Sequence, residues 1–165
     1  MGQMAASHDA VIREARRDDV PAIAALIEQF AGYMRDLGDT TELRLDAAAL
    51  ERDGFGPDPA FRGLVALVAD EIVGFLLYHS GYDTDAACRL LFVVDLYVSE
   101  QARGQGIGAA LMNEARKVAV RAGAAQLVWT VDRRNESAKR FYARLGARFV
   151  ETLELIYLDA LMVKE

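Results

Sequence analysis

Three glycines alternate with other residues in the segment Arg103-Gly104-Gln105-Gly106-Ile107-Gly108. An apolar run before this segment predicts a strand, and apolar residues at helical spacing after it predict a helix. The first N–H groups of a helix have no helical partner, and the helix dipole favours an anion there. Glycine lets the backbone approach a phosphate closely, and Arg103 adds a charged donor. The segment therefore predicts a site for a diphosphate group carried on a larger cofactor.

Other glycine-rich sites fit this segment less well. A Walker P-loop is excluded because Lys followed by Ser or Thr is absent after the glycines. Gly104, Gly106 and Ala109 satisfy the spacing of a dinucleotide-binding fingerprint, but that motif belongs in a first βαβ unit. It also requires an acidic residue near position 124, which is alanine. Glycines that only form tight turns remain the alternative.

A second candidate group follows the glycine segment. Asn135 is suited to begin a helix and Gly146 to end it. Between them, Ala138, Phe141, Tyr142 and Leu145 recur on one helix face, so Tyr142 taken alone is typical of a core residue.

The elements that must position these residues form one α/β series. Turn residues and changes of apolar period predict the order β-α-α-β-β-β-α-β-α-β-β. Asp18 and Asp19 are candidate caps of the first helix. We predict strands at residues 11–15, 64–69, 72–78, 90–98 and 126–131 and after Phe149, and helices through residues 23–30, 45–50, 106–121 and 136–145.

Composition limits the classes of protein that the chain can belong to. With 165 residues and 53% hydrophobic content, we expect a single domain, over residues 11–165. Residues 1–10 have neither the basic start nor the apolar run of a signal peptide, and we interpret them as a flexible tail. A net charge of −6 argues against nucleic-acid binding. Cys88 is the single cysteine, which excludes an internal disulfide and suits the cytoplasm. No signal peptide, apolar membrane span or cluster of metal ligands is apparent, so we expect no membrane partner and no metal.

Two motifs carry a resemblance to a known family. Residues 94–98, Val-Asp-Leu-Tyr-Val, followed by the glycine segment resemble the signature of the GCN5-related N-acetyltransferases (GNAT). Asn135, Ala138, Tyr142 and Gly146 match the second motif of that family in order and spacing. The resemblance extends over nearly the whole chain. It implies an α/β GNAT fold, with a mixed, mostly antiparallel twisted sheet that is splayed at its central strands and flanked by about four helices. It also implies an acetyl-CoA-dependent N-acetyltransferase.

Within that family the chain is most similar to the diamine acetyltransferases, the spermidine/spermine and thialysine group. Residues 53–56, Val73-Gly74-Phe75 and Phe141-Tyr142 look like that group's sequence. This implies a small cationic amine as acceptor and a homodimer, often built by exchange of C-terminal strands. The chain departs from the group at Val94, where the group has glutamate, so the identity of the general base is open.

The resemblance also implies roles for individual residues. Tyr142 would protonate the departing sulfur, and Asp95 is the candidate base. The candidate contacts of the acceptor are Asp83 and Asp95, which match positions of the diamine group. Glu28 and Tyr33 are further candidates from their chemistry, as a carboxylate and as an aromatic ring that can pack on an alkyl chain or contact a cation. A charged surface residue, however, is more often merely solvated. Acetyl-CoA would contact the backbone of Leu96, Tyr97 and Val98, the loop and helix start at Arg103, Gly104, Gln105, Gly106, Ile107, Gly108 and Ala109, and the second-motif residues Asn135, Ala138 and Tyr142.

Two other functions remain open. The chain is also compatible with a GNAT enzyme for another amine, such as an amino acid, an aminoglycoside or a protein N-terminus. A module that binds acetyl-CoA without catalysis is the alternative from a different functional class.

Overall fold

The computed structural model describes residues 10–158. Except for Ala10, the predicted N-terminal tail lies outside the described residues. The chain divides into two compact units after Arg134. The single domain over residues 11–165 therefore stays a prediction, and each unit is described by itself.

The first unit is built on a five-stranded sheet in the order β1-β2-β3-β4-β5. Strands β1 to β4 pair with one another in antiparallel fashion, whereas β5 runs parallel to β4. The predicted mixed, mostly antiparallel sheet is confirmed. The elements in chain order are β1 (Val11–Glu14), α1 (Val20–Asp36), α2 (Ala47–Phe55), β2 (Arg62–Val68), β3 (Glu71–Asp83), β4 (Cys88–Val98), α3 (Ile107–Arg121) and β5 (Ala124–Val128).

Helices cover both faces of this sheet. Because side chains alternate along a strand, Gly74 and Phe75 on β3 face opposite ways. Phe75 belongs to a buried cluster with residues of α1 and α2. A Cβ atom at Gly74 would instead lie 3.4 Å from Leu111 of α3. The α1 and α2 helices therefore pack on one face, called the α1 face below, and α3 packs on the other.

The second unit contains α4 (Glu136–Arg144). The Asn135 side chain accepts a hydrogen bond of 3.0 Å from the Ala138 N–H, as its capping role predicts. Gly146 has φ 79° and ends the helix in the left-handed region. The two helix boundaries expected from Asn135 and Gly146 therefore hold.

The predicted strands after Phe149 are wrong for residues 149–158, which contain no strand. Apolar residues are frequent there, but side chains such as Leu155 and Ile156 are exposed. A strand needs a hydrogen-bonding partner, and the described residues provide none for this segment.

Three local predictions in the first unit also need correction. Asp19 makes no capping bond to α1; its carboxylate instead accepts hydrogen bonds from Arg13 at 2.6 and 2.9 Å and from the Arg16 N–H at 2.7 Å. The second helix is predicted through residues 45–50, but it begins after Asp46, which caps it through the Ala49 N–H at 2.8 Å, and it continues to Phe55. Strand β5 is two residues earlier at its start than predicted and three residues earlier at its end.

Candidate active site

Strand β4 contains a bulge at Val94. Leu77 of β3 lies opposite Asp95, and the next residue, Tyr78, lies opposite Val93. Val94 is therefore left without a partner on β3, as in a β-bulge, and its side chain is 43% exposed. No feature of the residue types at this point predicts the extra residue.

The sheet is splayed immediately after this region. Strand β5 pairs with residues 89–92 of β4, while β4 itself continues to Val98. The backbone of Leu96, Tyr97 and Val98 thus has no strand partner on the β5 side within residues 10–158. The splay that the sequence resemblance implied is confirmed, and it leaves backbone donors and acceptors available for a ligand.

The glycine segment forms the entry to α3. Gly104 and Gly106 have φ of 76° and 79°, and Gly106 occupies the N-cap position without a side-chain cap. A Cβ atom at either glycine would meet nothing within 4 Å. Glycine is therefore required by backbone conformation, and the space over the loop is open. Uncapped N–H groups at a helix start with open space above them suit a phosphate group.

Arg103 is held in place before this loop. Its Nε donates a hydrogen bond of 3.0 Å to the Val98 carbonyl. The guanidinium also lies 4.8 Å from the ring centroid of Tyr33 and 5.2 Å from that of Tyr97. These contacts fix the side chain by cation–π interaction and leave its terminal nitrogens for an anion.

Asp95 is a half-buried carboxylate on the α1 face of β4. Its register partner Leu77 and its strand neighbour Tyr97 are both buried. Within residues 10–158, no cationic side chain forms an ion pair with Asp95, and burial raises the pKa of its carboxyl group. A partly desolvated carboxyl with a raised pKa is typical of a residue that exchanges protons.

The other residues predicted to contact the acceptor lie at different distances from Asp95. Tyr33 contacts Arg103 and so joins the group that contains Tyr97. Glu28 is exposed on α1, off the buried stripe of that helix. Asp83 ends β3, six residues and therefore about 20 Å beyond Leu77. Its Oδ1 accepts hydrogen bonds from the N–H groups of Asp85 and Ala86, both at 2.9 Å.

The second-motif residues are placed within their own unit. Asn135 is buried at the start of α4. Tyr142 is half-buried on the same helix, and its ring centroid lies 5.1 Å from that of Phe141. Their roles toward acetyl-CoA stay predictions.

A family model described as the acetyltransferase (GNAT) family matches residues 23–147. The chain belongs to the GNAT acetyltransferase family. It is accordingly an N-acetyltransferase, as the two sequence motifs predict. Within residues 10–158, no helix is long and apolar enough to cross a membrane, and no three His, Cys, Asp or Glu side chains are grouped for a metal ion.

Curated relatives locate this GNAT chain close to the diamine acetyltransferase group. Thialysine N-epsilon-acetyltransferase from Bos taurus is 34% identical over 146 residues, and the match covers 84% of each chain. Spermidine/spermine N(1)-acetyltransferase-like protein 1 from Homo sapiens is 33% identical over 143 residues, which are 82% of this chain and 20% of that protein.

A solved structure supports the fold. Ribosomal-protein-alanine N-acetyltransferase from Brucella melitensis biovar Abortus 2308 superposes with a TM-score of 0.71 at 23% identity. The match covers 90% of this chain and 99% of that one. At this identity the likeness concerns the fold alone.

The substitution Asp95→Asn measures the cost of burying this carboxylate. Because its pKa is raised above the ordinary 3.8, the folded chain holds the proton more tightly than the unfolded chain. The free energy of unfolding of the wild type therefore falls as pH rises from the ordinary value through the raised one. We expect D95N to be more stable than the wild type at about pH 8, with a difference that shrinks toward about pH 4. Urea unfolding at both pH values measures this.

The exposed Glu28→Gln on α1 is the control, and we expect it to change the free energy of unfolding by less than about 0.5 kcal/mol. A D95N chain that is less stable than the wild type at the higher pH would contradict the prediction. It would show that a favourable interaction compensates the buried charge.

Proposed function

We propose that this GNAT chain transfers the acetyl group of acetyl-CoA directly to a primary amine of a small cationic acceptor, a polyamine or a lysine-like amino acid. The observation that carries the proposal is the open glycine loop at the start of α3, next to the splayed end of β4 and its half-buried Asp95. The names of the relatives, thialysine and spermidine/spermine acetyltransferases, support the acceptor class.

The residues of the first unit fit acetyl-CoA. The loop N–H groups at Gly106, Ile107 and Gly108 and the Arg103 guanidinium would hold its diphosphate. The unpaired backbone of β4 would hydrogen-bond its pantetheine arm. When bound, acetyl-CoA supplies the acetyl group as a thioester. In the second unit, Asn135, Ala138 and Tyr142 are the proposed contacts.

The proposed proton transfers use two side chains. A primary amine must lose a proton before or during attack, and Asp95 is the proposed base, directly or through water. Its raised pKa brings it closer to the pH at which a carboxylate is useful for this task. The Tyr142 hydroxyl is the proposed donor to the departing sulfur, since an ordinary phenol retains its proton at neutral pH and can give it to a thiolate.

Acceptor binding is proposed to begin at Asp95. A carboxylate in partly apolar surroundings attracts an ammonium group more strongly than an exposed one does. Tyr33, which lies against Arg103, provides an aromatic wall. Glu28 and Asp83 would contribute to the attraction of a cation at longer range, in a chain of net charge −6.

The substitution Gly106→Ala tests the diphosphate site. An alanine in the left-handed region costs about 1–2 kcal/mol, and its Cβ would occupy the open space where a phosphate approaches. We expect the dissociation constant of acetyl-CoA, measured by calorimetry, to rise at least about tenfold.

Gly123→Ala is the matched control. Gly123 follows α3 with φ 70°, and a Cβ atom there would also meet nothing within 4 Å. It should cause a similar loss of stability and leave acetyl-CoA affinity unchanged. Equal affinity losses in the two variants would contradict the site.

Thiol release from acetyl-CoA with a panel of amines tests the activity and the acid together. We expect turnover with lysine-like amino acids or polyamines, and we expect Tyr142→Phe to lower kcat about a hundredfold because a general acid is lost. The affinity for acetyl-CoA should be nearly unchanged.

Tyr82→Phe removes the same hydroxyl from an exposed tyrosine on β3 and should leave kcat unchanged. Full activity of Y142F would contradict the proposed acid. Tight acetyl-CoA binding without turnover of any amine would favour the non-catalytic module, and turnover confined to other amines would favour a different acceptor.

We also propose a homodimer formed through the C-terminal segment. Large apolar side chains are exposed there, from 65% for Leu155 to 95% for Leu158. A contiguous exposed apolar segment is typical of an interface.

Light scattering should give twice the chain mass, and Leu155→Asp combined with Ile156→Asp should halve it. Val120→Asp, at a 76% exposed position on α3, should not change the mass; a monomeric wild type would contradict the dimer.

A further inference from the structure

An aromatic stack on the α1 face of β3 and β4 has no role in the function proposed so far. His79 lies opposite Phe92, with ring centroids 5.2 Å apart and an angle of 19° between the rings. Since His79 is two residues from Leu77, it lies on the same face as Leu77 and Asp95. Leu77 is buried under the helices of this face, whereas His79 is exposed. The stack is thus the first open surface beyond Asp95.

The imidazole of His79 presents a hydrogen-bond acceptor. Its Nδ1 lies 3.1 Å from the Ser80 carbonyl oxygen. A carbonyl only accepts, so this bond places the ring hydrogen on Nδ1 and leaves the lone pair of the neutral ring on Nε2. That nitrogen is suited to accept a hydrogen bond from an amine. The flat ring faces of the pair are suited to contact methylene groups.

The surrounding charges favour a cationic group at this position. The nearest arginines on the flanking strands, Arg62 and Arg89, lie opposite Tyr78 and Tyr82 and therefore occupy the other face of the sheet. On the α1 face, Asp95 lies on one side of the stack and Asp83 on the other. A second ammonium group bound at the stack would therefore not be repelled by the arginines of β2 and β4.

The spacing along the strand decides which length of acceptor fits. Two residues along β3 separate the level of Asp95 from that of His79, a distance of about 7 Å. This is close to the separation of the two amines in an extended five-carbon diamine and to that between the side-chain and main-chain amines of lysine. Asp83, about 20 Å along the strand, is too distant for such an acceptor.

We propose that His79 and Phe92 form the subsite that binds the second amine of the acceptor while the reactive amine lies at Asp95. The inference rests on the proposed acetyl transfer. Phe92 contacts the methylene chain, and Nε2 of His79 accepts a hydrogen bond from the second amine. The subsite therefore selects acceptors with two amines at lysine-like separation.

The test compares four acceptors that differ only in the group at the far end. Pentane-1,5-diamine has a second amine, lysine has an amine and a carboxylate, 5-aminopentanoate has a carboxylate, and pentylamine has neither. For His79→Phe, which keeps the ring stack and removes Nε2, we expect kcat/KM to fall about tenfold for the diamine and for lysine. It should be unchanged for pentylamine and 5-aminopentanoate.

His79→Gln, whose side-chain oxygen also accepts a hydrogen bond, should recover part of the diamine activity. Acetyl-CoA affinity should be the same in all variants, which verifies that the fold is intact. A loss for 5-aminopentanoate with none for the diamine would overturn the inference in favour of a carboxylate subsite. Equal effects on all four acceptors, or none, would also overturn it, whereas failure of the wild type to acetylate any amine would refute the proposed function itself.

Discussion

The bulge at Val94 is the constraint on which the candidate site depends. In a regular strand, Phe92 and Asp95 would face opposite sides of the sheet, because three residues separate them. Because Val94 is left unpaired, the pairing of β4 with β3 shifts by one residue at this point. The side chains of Phe92 and Asp95 therefore lie on the same side of the sheet, the α1 face. Pairing of β4 with β5 ends at Phe92, next to the bulge. The bulge therefore lies beside the Asp95 carboxylate, the stack of His79 on Phe92 and the unpaired backbone of β4.

The end of β4 and the glycine loop are linked through a small set of contacts. Tyr97 belongs to the buried cluster under α1, and its ring contacts the guanidinium of Arg103. The same guanidinium contacts Tyr33 of α1 and bonds the Val98 carbonyl. The Arg103 side chain thus contacts Tyr33, a proposed acceptor residue, and lies next to the proposed diphosphate site. It therefore couples the position of α1 to that of the glycine loop.

Several features of this region oppose stability. Asp95 is partly buried without an ion-pair partner among the described residues, and Gly104 and Gly106 hold left-handed conformations. Such unfavourable contributions to the free energy of folding are concentrated where a ligand binds or a proton is transferred. The regular core around Phe75 and Leu77 compensates them.

The sequence by itself determined the features that depend on local chemistry. The spacing of Gly104 and Gly106 identified the loop, Asn135 and Gly146 marked the ends of α4, and the apolar periods located every strand of the sheet. Asn135 caps its helix through an atom three residues away, so neighbouring residues suffice to predict it. The ends of the elements were predicted less well, since α2 continues to Phe55 although the helix was predicted through residues 45–50.

Only the tertiary structure decided the bulge, the partners of charged groups and the distances between candidate residues. Nothing in the residue type of Val94 distinguishes it from its apolar neighbours. The bulge arises from the register of pairing with β3, which the types of the neighbouring residues do not reveal. For the same reason Asp19 bonds Arg13 rather than the helix, and Asp83 lies far along β3 from Asp95. His79 and Phe92 are unremarkable in the sequence, and cross-strand pairing alone brings their rings together beside the carboxylate.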